Sequence, residues 1–383
     1  ITCKQLAADF GGEPNYYNNM SWQLAKRVQQ VTNCPIIKRL ENDGNKYWPI
    51  LYIGKYTQNK KDGTFLWKLR DELRKALLNT PENDGVEAVK NKEENHKYTK
   101  ADFLTDVFMT EENYNKLVAL LKFKKNIILQ GAPGVGKTYA AKRLAYSLIG
   151  AEDNNKIAMV QFHQNYSYED FVMGYRPTES GFELRNGVFY EFCQKARNDL
   201  EHNYYFIIDE INRGNLSAIF GELLMLIESD YRDKPVTLVY KKDEQFSVPP
   251  NVYIIGMMNT ADRSIAMIDY ALRRRFSFFT MNPGFDSDGF KRMQSDIDNP
   301  VYNDLIAEIK SLNSEIAQDD SLGEGFCIGH SYFVYDNSCQ TDVEAWLKNV
   351  VEYDILPMLN EYWFDEKTKA DNWKNKLMGV FDK

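Results

Sequence analysis

The sequence predicts an α/β protein built on a P-loop: a mostly parallel sheet sandwiched by helices, a C-terminal helical lid after it and a small α+β module before it. Three stretches predict this. Asn126 to Gln130 is a short apolar run leading into Gly131, Ala132, Pro133, Gly134, Val135, Gly136, Lys137 and Thr138, the pattern GxxxxGK[ST], and Tyr139 to Leu148 then reads as an amphipathic helix. Tyr204 to Glu210 is an apolar strand ending in two carboxylates, and Val252 to Asn259 is another, ending on a polar residue. Strands that alternate with helices give a parallel sheet covered on both faces, with ligands gathered at the strand C-terminal ends.

Strand, loop and helix around Gly131 to Thr138 are the setting a phosphate-binding loop requires. Its glycines let backbone N–H groups turn inward on phosphate oxygens, and the helix that follows adds the positive end of its dipole. Lys137 is expected to reach the β and γ phosphates and the Thr138 hydroxyl to bind Mg²⁺, with Tyr139 beside them at the start of the helix. Asp209 is expected to hold the Mg²⁺ shell, and Glu210 to orient or deprotonate the attacking water. Asn259, at a strand tip, can hold that water or a γ-phosphate oxygen.

In chain order, residues 2 to 30 suggest two helices, with Leu6, Ala7 and Phe10 and then Leu24, Ala25 and Val28 at helical spacing. A helix, a glycine-containing turn and a basic helix outline a helix-turn-helix and, more simply, an ordinary helical hairpin. Tyr47 to Gly54 resembles a buried strand and Phe65 to Leu78 a helix. Trp22, Trp48 and Trp67 could stack on a base or belong to a core. Residues 79 to 100 are polar and strongly charged with little to bury. The expected division is therefore an N-terminal module over 1–80, a linker over 81–100, a nucleotide-binding α/β domain over 101–282 and a helical lid over 283–383. Thr99 or Asp102 is expected to cap a helix over Phe103 to Phe108, and Thr110 one over Glu111 to Leu121. Ile157 to Phe162 reads as a strand, Leu216 to Ser229 as a helix, and Val236 to Tyr240 with Phe246 to Val248 as a hairpin.

At 383 residues the chain corresponds to two or three domains, and its 43% hydrophobic and 27% charged content is that of an ordinary globular protein. No apolar run approaches a membrane span and no basic-plus-apolar leader is present. Cys3, Cys34, Cys193, Cys327 and Cys339 are scattered singly, so a reduced, cytoplasmic chain without a structural metal is expected. Residues 1 to 80 carry thirteen Lys/Arg against seven Asp/Glu, which leaves −14 of the net −8 for the remainder. A basic module on an acidic engine points to nucleic acid at the N-terminal end. The first residue is Ile1 rather than Met, so the completeness of that module is left open.

Arg273, Arg274 and Arg275 follow one another in a short helix ending near Phe276. Arginine suits a γ-phosphate because it stays charged and donates bidentately; a surface basic run is the other reading. Arginines this far along the chain would reach a neighbouring subunit's nucleotide, which implies a ring. After Pro283 the pattern turns helical around Ile306 to Ile316 and Val343 to Phe364, with Gly329, His330, Ser331 and Tyr332 in a loop or short strand between.

Together, Gly131 to Thr138, Phe206-Ile-Ile-Asp-Glu-Ile-Asn-Arg213, Met258-Asn-Thr-Ala-Asp-Arg-Ser264 and Ala271-Leu-Arg-Arg-Arg-Phe276 resemble the AAA+ superfamily. More narrowly they resemble the McrB family, the motor subunits of McrBC modification-dependent restriction systems. Val160 to Phe171, Gly174-Tyr-Arg-Pro177 and Gly329-His-Ser-Tyr-Phe333 are also similar to that family, and the resemblance covers about residues 101 to 383. It implies a GTPase that forms homo-hexameric rings, binds an McrC-type endonuclease subunit and acts on modified, methylated DNA. Carried over by position, Lys137 and Thr138 bind phosphate and Mg²⁺, Asp209 and Glu210 are the Walker B pair, and Asn259 is sensor 1. Asp262 and Arg263 belong to the family signature, and Arg273 and Arg274 correspond to arginine fingers. The guanine base is expected near Phe103 to Phe108 and the lid. His96, His163, His202 and His330 are dispersed and no nuclease motif is present, so cutting falls to a partner. The competing expectations are an ATP-dependent remodeller in the manner of MoxR-type chaperones, and a scaffold ring whose nucleotide is structural.

Overall fold

The computed structural model describes residues 2–4, 21, 24–26, 28–29, 37–38, 45–46, 48–56, 65–71, 96–178, 181–261, 273–335 and 342–382. The chain divides into two compact units, Ile1–Lys92 and Glu93–Lys383. No helix among the described residues is long and apolar enough to cross a membrane.

In the first unit, β1 (Ile37–Lys38) pairs antiparallel with β2 (Asn45–Lys46), and β3 (Tyr52–Tyr56) with β4 (Phe65–Leu69). The stretch expected to open a helix at Phe65 is therefore a strand, with Leu69 opposite Tyr52. Phe, Leu and Trp suit a pleated surface, and pairing with β3 overrides the helical spacing. Trp22 and the turn of the expected helix-turn-helix lie outside the described residues.

The second unit starts inside the expected linker. Tyr98 is buried and donates its N–H to the Gly150 carbonyl at 3.1 Å, and Lys97 bridges to Ala151. Thr99 caps α1 (Lys100–Asp106), with the Asp102 carboxylate accepting from the Thr99 N–H at 2.7 Å. A cap and a buried aromatic anchor this backbone as a tether would not. Thr110 likewise caps α2 (Glu111–Lys124), its hydroxyl accepting from the Asn113 N–H at 3.3 Å.

The central sheet is built from β5 (Asn126–Gly131), β6 (Ile157–Gln161), β9 (Tyr204–Asp209), β12 (Val252–Asn259) and β13 (Ser277–Thr280). All pairs are parallel, in the order β13-β5-β12-β9-β6. Along β5 successive side chains enter opposite cores. Ile127 and Leu129 pack with Leu117 and Leu121 of α2 and with Ala140, Ala141 and Leu144 of α3 (Lys137–Ile149). Ile128 packs on the other side with Phe206, Ile208 and Ile254. That second core is completed by α4 (Tyr168–Phe171), α5 (Val188–Arg197), α6 (Leu216–Phe220) and α7 (Leu223–Leu226). Each of these fully buried aliphatic side chains contributes about 1.5–3 kcal/mol of transfer free energy.

The helix expected from Leu216 to Ser229 is broken. Gly221 sits at φ 50° between α6 and α7, where a side chain would press on the Tyr168 ring 3.0 Å away. Two antiparallel hairpins stand outside the main sheet: β7 (Met173–Thr178) with β8 (Gly181–Asn186), and β10 (Val236–Leu238) with β11 (Lys241–Phe246). The first was not anticipated from the sequence.

The lid has its own core around Phe290, Ile309, Phe333, Leu359 and Trp363. Its helices are α8 (Asp288–Ile297), α9 (Pro300–Gln318), α10 (Val343–Asn349), α11 (Leu356–Tyr362) and α12 (Lys367–Met378). Asn299 caps α9 and Pro300 occupies its first turn, where a missing N–H costs nothing. The helix expected over Val343 to Phe364 widens into a π-helical stretch at Val350–Ile355. Pro357 follows that stretch and cannot donate to the preceding turn.

Candidate nucleotide site

The C-terminal ends of β5, β9 and β12 converge on a cleft of about 330 Å³. Gly134, Gly136, Lys137, Thr138 and Tyr139 form one wall, Asp209 and Glu210 another, and Met258, Asn259 and the lid residue Ser331 the rest. The register explains the convergence: Asn259 pairs with Gly131, so the tip of β12 lies level with the start of the phosphate loop.

The loop enters α3 with Gly134 at φ 76° and Gly136 at φ 73°. Lys137 is buried, and its Nζ donates to the carbonyls of Gly131 and Ala132, both at 2.9 Å. A buried ammonium is costly unless it is hydrogen-bonded, and these carbonyls hold it at the loop, where an anionic phosphate would lie. Ala132 and Val135 have buried side chains, so what they offer a ligand is backbone. Pro133 lines an adjoining cavity of about 550 Å³ between the α/β layers and the lid. Tyr139 is 46% exposed at the rim, with the Arg143 guanidinium carbon 3.2 Å from its ring centre.

Glu210 leaves β9 in a left-handed conformation, φ 49° and ψ 46°, which turns its carboxylate into the cleft at a cost of about 1–2 kcal/mol for a non-glycine residue. Asn259 Nδ2 donates to Glu210 Oε1 at 2.9 Å, and Arg213 Nε stands 3.1 Å from Oε2, an ion pair without the geometry of a hydrogen bond. The Glu210 N–H donates to Asp209 Oδ1 at 3.1 Å. Thr138 and Asp209 supply a hydroxyl and a carboxylate, the hard oxygen donors Mg²⁺ takes alongside nucleotide phosphates. Among the described residues no group of three or more His, Cys, Asp or Glu side chains could hold a metal ion.

The arginines lie at the other end of the sheet. They precede β13, whose Ser277 pairs with Ile127 near the start of β5, whereas the phosphate loop leaves from its end at Gly131. That separation is roughly 15 Å of strand. Arg273 and Arg274 are exposed, and Arg274 Nη2 donates to Glu228 Oε1 at 3.0 Å. Arg275 is mostly buried, its Nε 3.0 Å from the same carboxylate oxygen. Asn126, fully buried, donates Nδ2 to the carbonyls of Ile227 at 2.7 Å and Arg275 at 3.1 Å, and accepts from Arg232 Nη2 at 2.7 Å. Burial pulls the Arg232 guanidinium down to about 10.

Phe103 is not available to a base: it is wholly buried and packs on Tyr114, with ring centres 4.8 Å apart. Phe108 packs instead on the lid, 5.3 Å from Phe290 and 5.2 Å from His330. His330 belongs to a short 3-10 helix, His330–Phe333, where a loop or strand was expected. Its Nδ1 accepts the Gly284 N–H at 2.8 Å, and burial pushes the imidazole down to about 4. Asp262 and Arg263 lie outside the described residues.

The structure thus brings together Gly134, Gly136, Lys137, Thr138, Tyr139, Asp209, Glu210 and Asn259, and sets Arg273 and Arg274 apart. Sequence reasoning gave no role to Ser331 or Arg213. Each stood within a quoted motif, which was the one signal available.

Comparison with known proteins bears on both halves of the unit. A family model described as AAA domain (dynein-related subfamily) matches residues 126–276, and one described as McrB, alpha-helical lid domain matches residues 304–371. The type IV methyl-directed restriction enzyme EcoKMcrB subunit of Escherichia coli (strain K12) is 47% identical over 306 residues, covering 78% of this chain and 66% of the relative. The type II restriction enzyme BsuMI component YdiS of Bacillus subtilis (strain 168) is 29% identical over 321 residues, covering 71% of this chain and 88% of the relative. The chain spans about two thirds of the length of the first of these.

Proposed function

The chain belongs to the McrB family of AAA+ P-loop proteins, and we propose that it hydrolyses GTP as the motor of a McrBC-type modification-dependent restriction system. The observation that carries the hydrolytic part is the Asp209, Glu210 and Asn259 cluster facing Lys137 and Thr138 across one cleft. In the proposed reaction Glu210 orients and deprotonates the attacking water, with Asn259 fixing the carboxylate and the water in line. Lys137 and the loop N–H groups bind the phosphates. Thr138 and Asp209 would hold Mg²⁺, which when bound would supply charge neutralisation at the phosphates.

Arg273 and Arg274 are proposed as fingers acting on a neighbour's nucleotide. Their place at the far end of the sheet keeps them from this chain's own phosphate loop, and their exposure leaves them available to another copy in a homo-hexameric ring. The choice of GTP, an McrC-type endonuclease partner and action on modified DNA rest on kinship with a relative whose name describes a methyl-directed restriction enzyme.

The test is steady-state hydrolysis of GTP and ATP by the purified chain, with and without an McrC-type subunit. Preference for GTP with stimulation by that subunit supports the proposal. Preference for ATP without stimulation would move the protein to the class of protein remodellers.

A further inference from the structure

The lid does more than cover the cleft, because one of its turns rests directly on the phosphate loop. The Ser331 N–H donates to the Gly134 carbonyl at 2.9 Å. Gly329 lies so close that a Cβ there would fall 2.0 Å from the Gly134 carbonyl carbon, and a Cβ on Gly134 would fall 2.5 Å from the Tyr332 ring. His330 Nδ1 holds the same turn from below through the Gly284 N–H. The backbone of Ser331 is thereby seated over the loop, with its Oγ 3.2 Å from where a Gly134 Cβ would stand. It lines the cleft with Lys137, Glu210 and Asn259, and among the described residues its hydroxyl has no hydrogen-bond partner.

A hydroxyl can donate to an anionic oxygen, and a charge-assisted bond from a pre-positioned donor is stronger than a neutral one. We infer that Ser331 Oγ is the lid's ligand for the terminal phosphate of the bound nucleoside triphosphate, an inference that rests on the nucleotide reading of the cleft. The terminal phosphate is the one concerned because Glu210 and Asn259, which the hydrolytic reading sets at the attacked phosphorus, share the cleft with Ser331. The lid then loses a contact when that phosphate leaves.

Calorimetric binding of a non-hydrolysable GTP analogue and of GDP to the wild-type chain, Ser331→Ala and Ser331→Thr tests this. Ser331 is exposed and its N–H bond to Gly134 survives either change, so unfolding temperature without nucleotide should stay put. The expected result is that Ser331→Ala weakens the triphosphate analogue about ten- to hundredfold, leaves GDP within about twofold, and is rescued by threonine. Unchanged analogue affinity, or equal losses for analogue and GDP, overturns the inference while the nucleotide site stands. A wild-type chain that binds neither ligand overturns the nucleotide reading itself, and the inference with it.

Discussion

Asn259 donates its side-chain amide to Glu210 Oε1 at 2.9 Å, so the tip of β12 holds the carboxylate that follows β9. The other oxygen faces Arg213 Nε at 3.1 Å. Among the described residues Oε2 accepts no hydrogen bond and Oε1 accepts one, so the carboxylate is oriented by its neighbours and still keeps acceptor capacity for an attacking water.

Glu210→Gln keeps the shape and the amide contact to Asn259 and removes the base. Turnover should fall by about 10²–10⁴ while triphosphate affinity remains, read by steady-state hydrolysis beside calorimetric binding. Unchanged turnover would exclude Glu210 as the base.

Arg273→Ala and Arg274→Ala should lower turnover, by as much as about 10³ for a finger acting in trans, and leave nucleotide affinity near wild type. Mixing either variant with Glu210→Gln chains should recover activity, since intact fingers and an intact base then meet at some interfaces. A pure affinity loss, or no recovery on mixing, would count against the trans role.

Asn126→Ala leaves the Ile227 and Arg275 carbonyls and the buried Arg232 guanidinium without their shared partner. The expected cost is about 3 kcal/mol or more, seen as a lower midpoint in urea unfolding. A midpoint within error of wild type would show that other groups carry this network.

Acid should loosen the lid from the loop through His330. Its ordinary value of 6.5 falls to about 4 on folding, with Phe108, Phe285 and Phe290 packed around the ring. The unfolded chain takes the proton first, so this contribution is complete above about 6.5 and is lost as pH falls through about 4. Between pH 7 and 4.5 wild type should lose about 2 kcal/mol more than His330→Asn, which keeps an acceptor near Nδ1 and cannot titrate. Equal losses in urea titrations of the two would remove His330 from the pH response.

Much of this site was legible because its signals are local. Gly131 to Thr138 carries loop, lysine and helix start in one run, and the acidic and polar ends of β9 and β12 announce themselves where apolar strands stop. What failed depended on partners distant in sequence. Phe65 to Leu69 became a strand because Tyr52 to Tyr56 lies beside it, and Leu216 to Ser229 broke at Gly221, which turns to φ 50° where an added Cβ would fall 3.0 Å from the Tyr168 ring. Phe103 has the aromatic character of a base-binding residue, and only its packing on Tyr114 shows it committed to the core. Ser331 was readable as part of a motif, but its seat over Gly134 is a tertiary contact that no spacing encodes.

Strand β5 has two ends with different duties. It opens at Asn126, whose amide grips the backbone just past the exposed arginines, and closes at Gly131, where the phosphate loop begins. All six residues pair with β12 and the middle four, Ile127 to Gln130, also with β13, which makes a stiff rod. In the proposed ring, this one strand lies between a subunit's own pocket and the arginines it would offer to the adjoining copy.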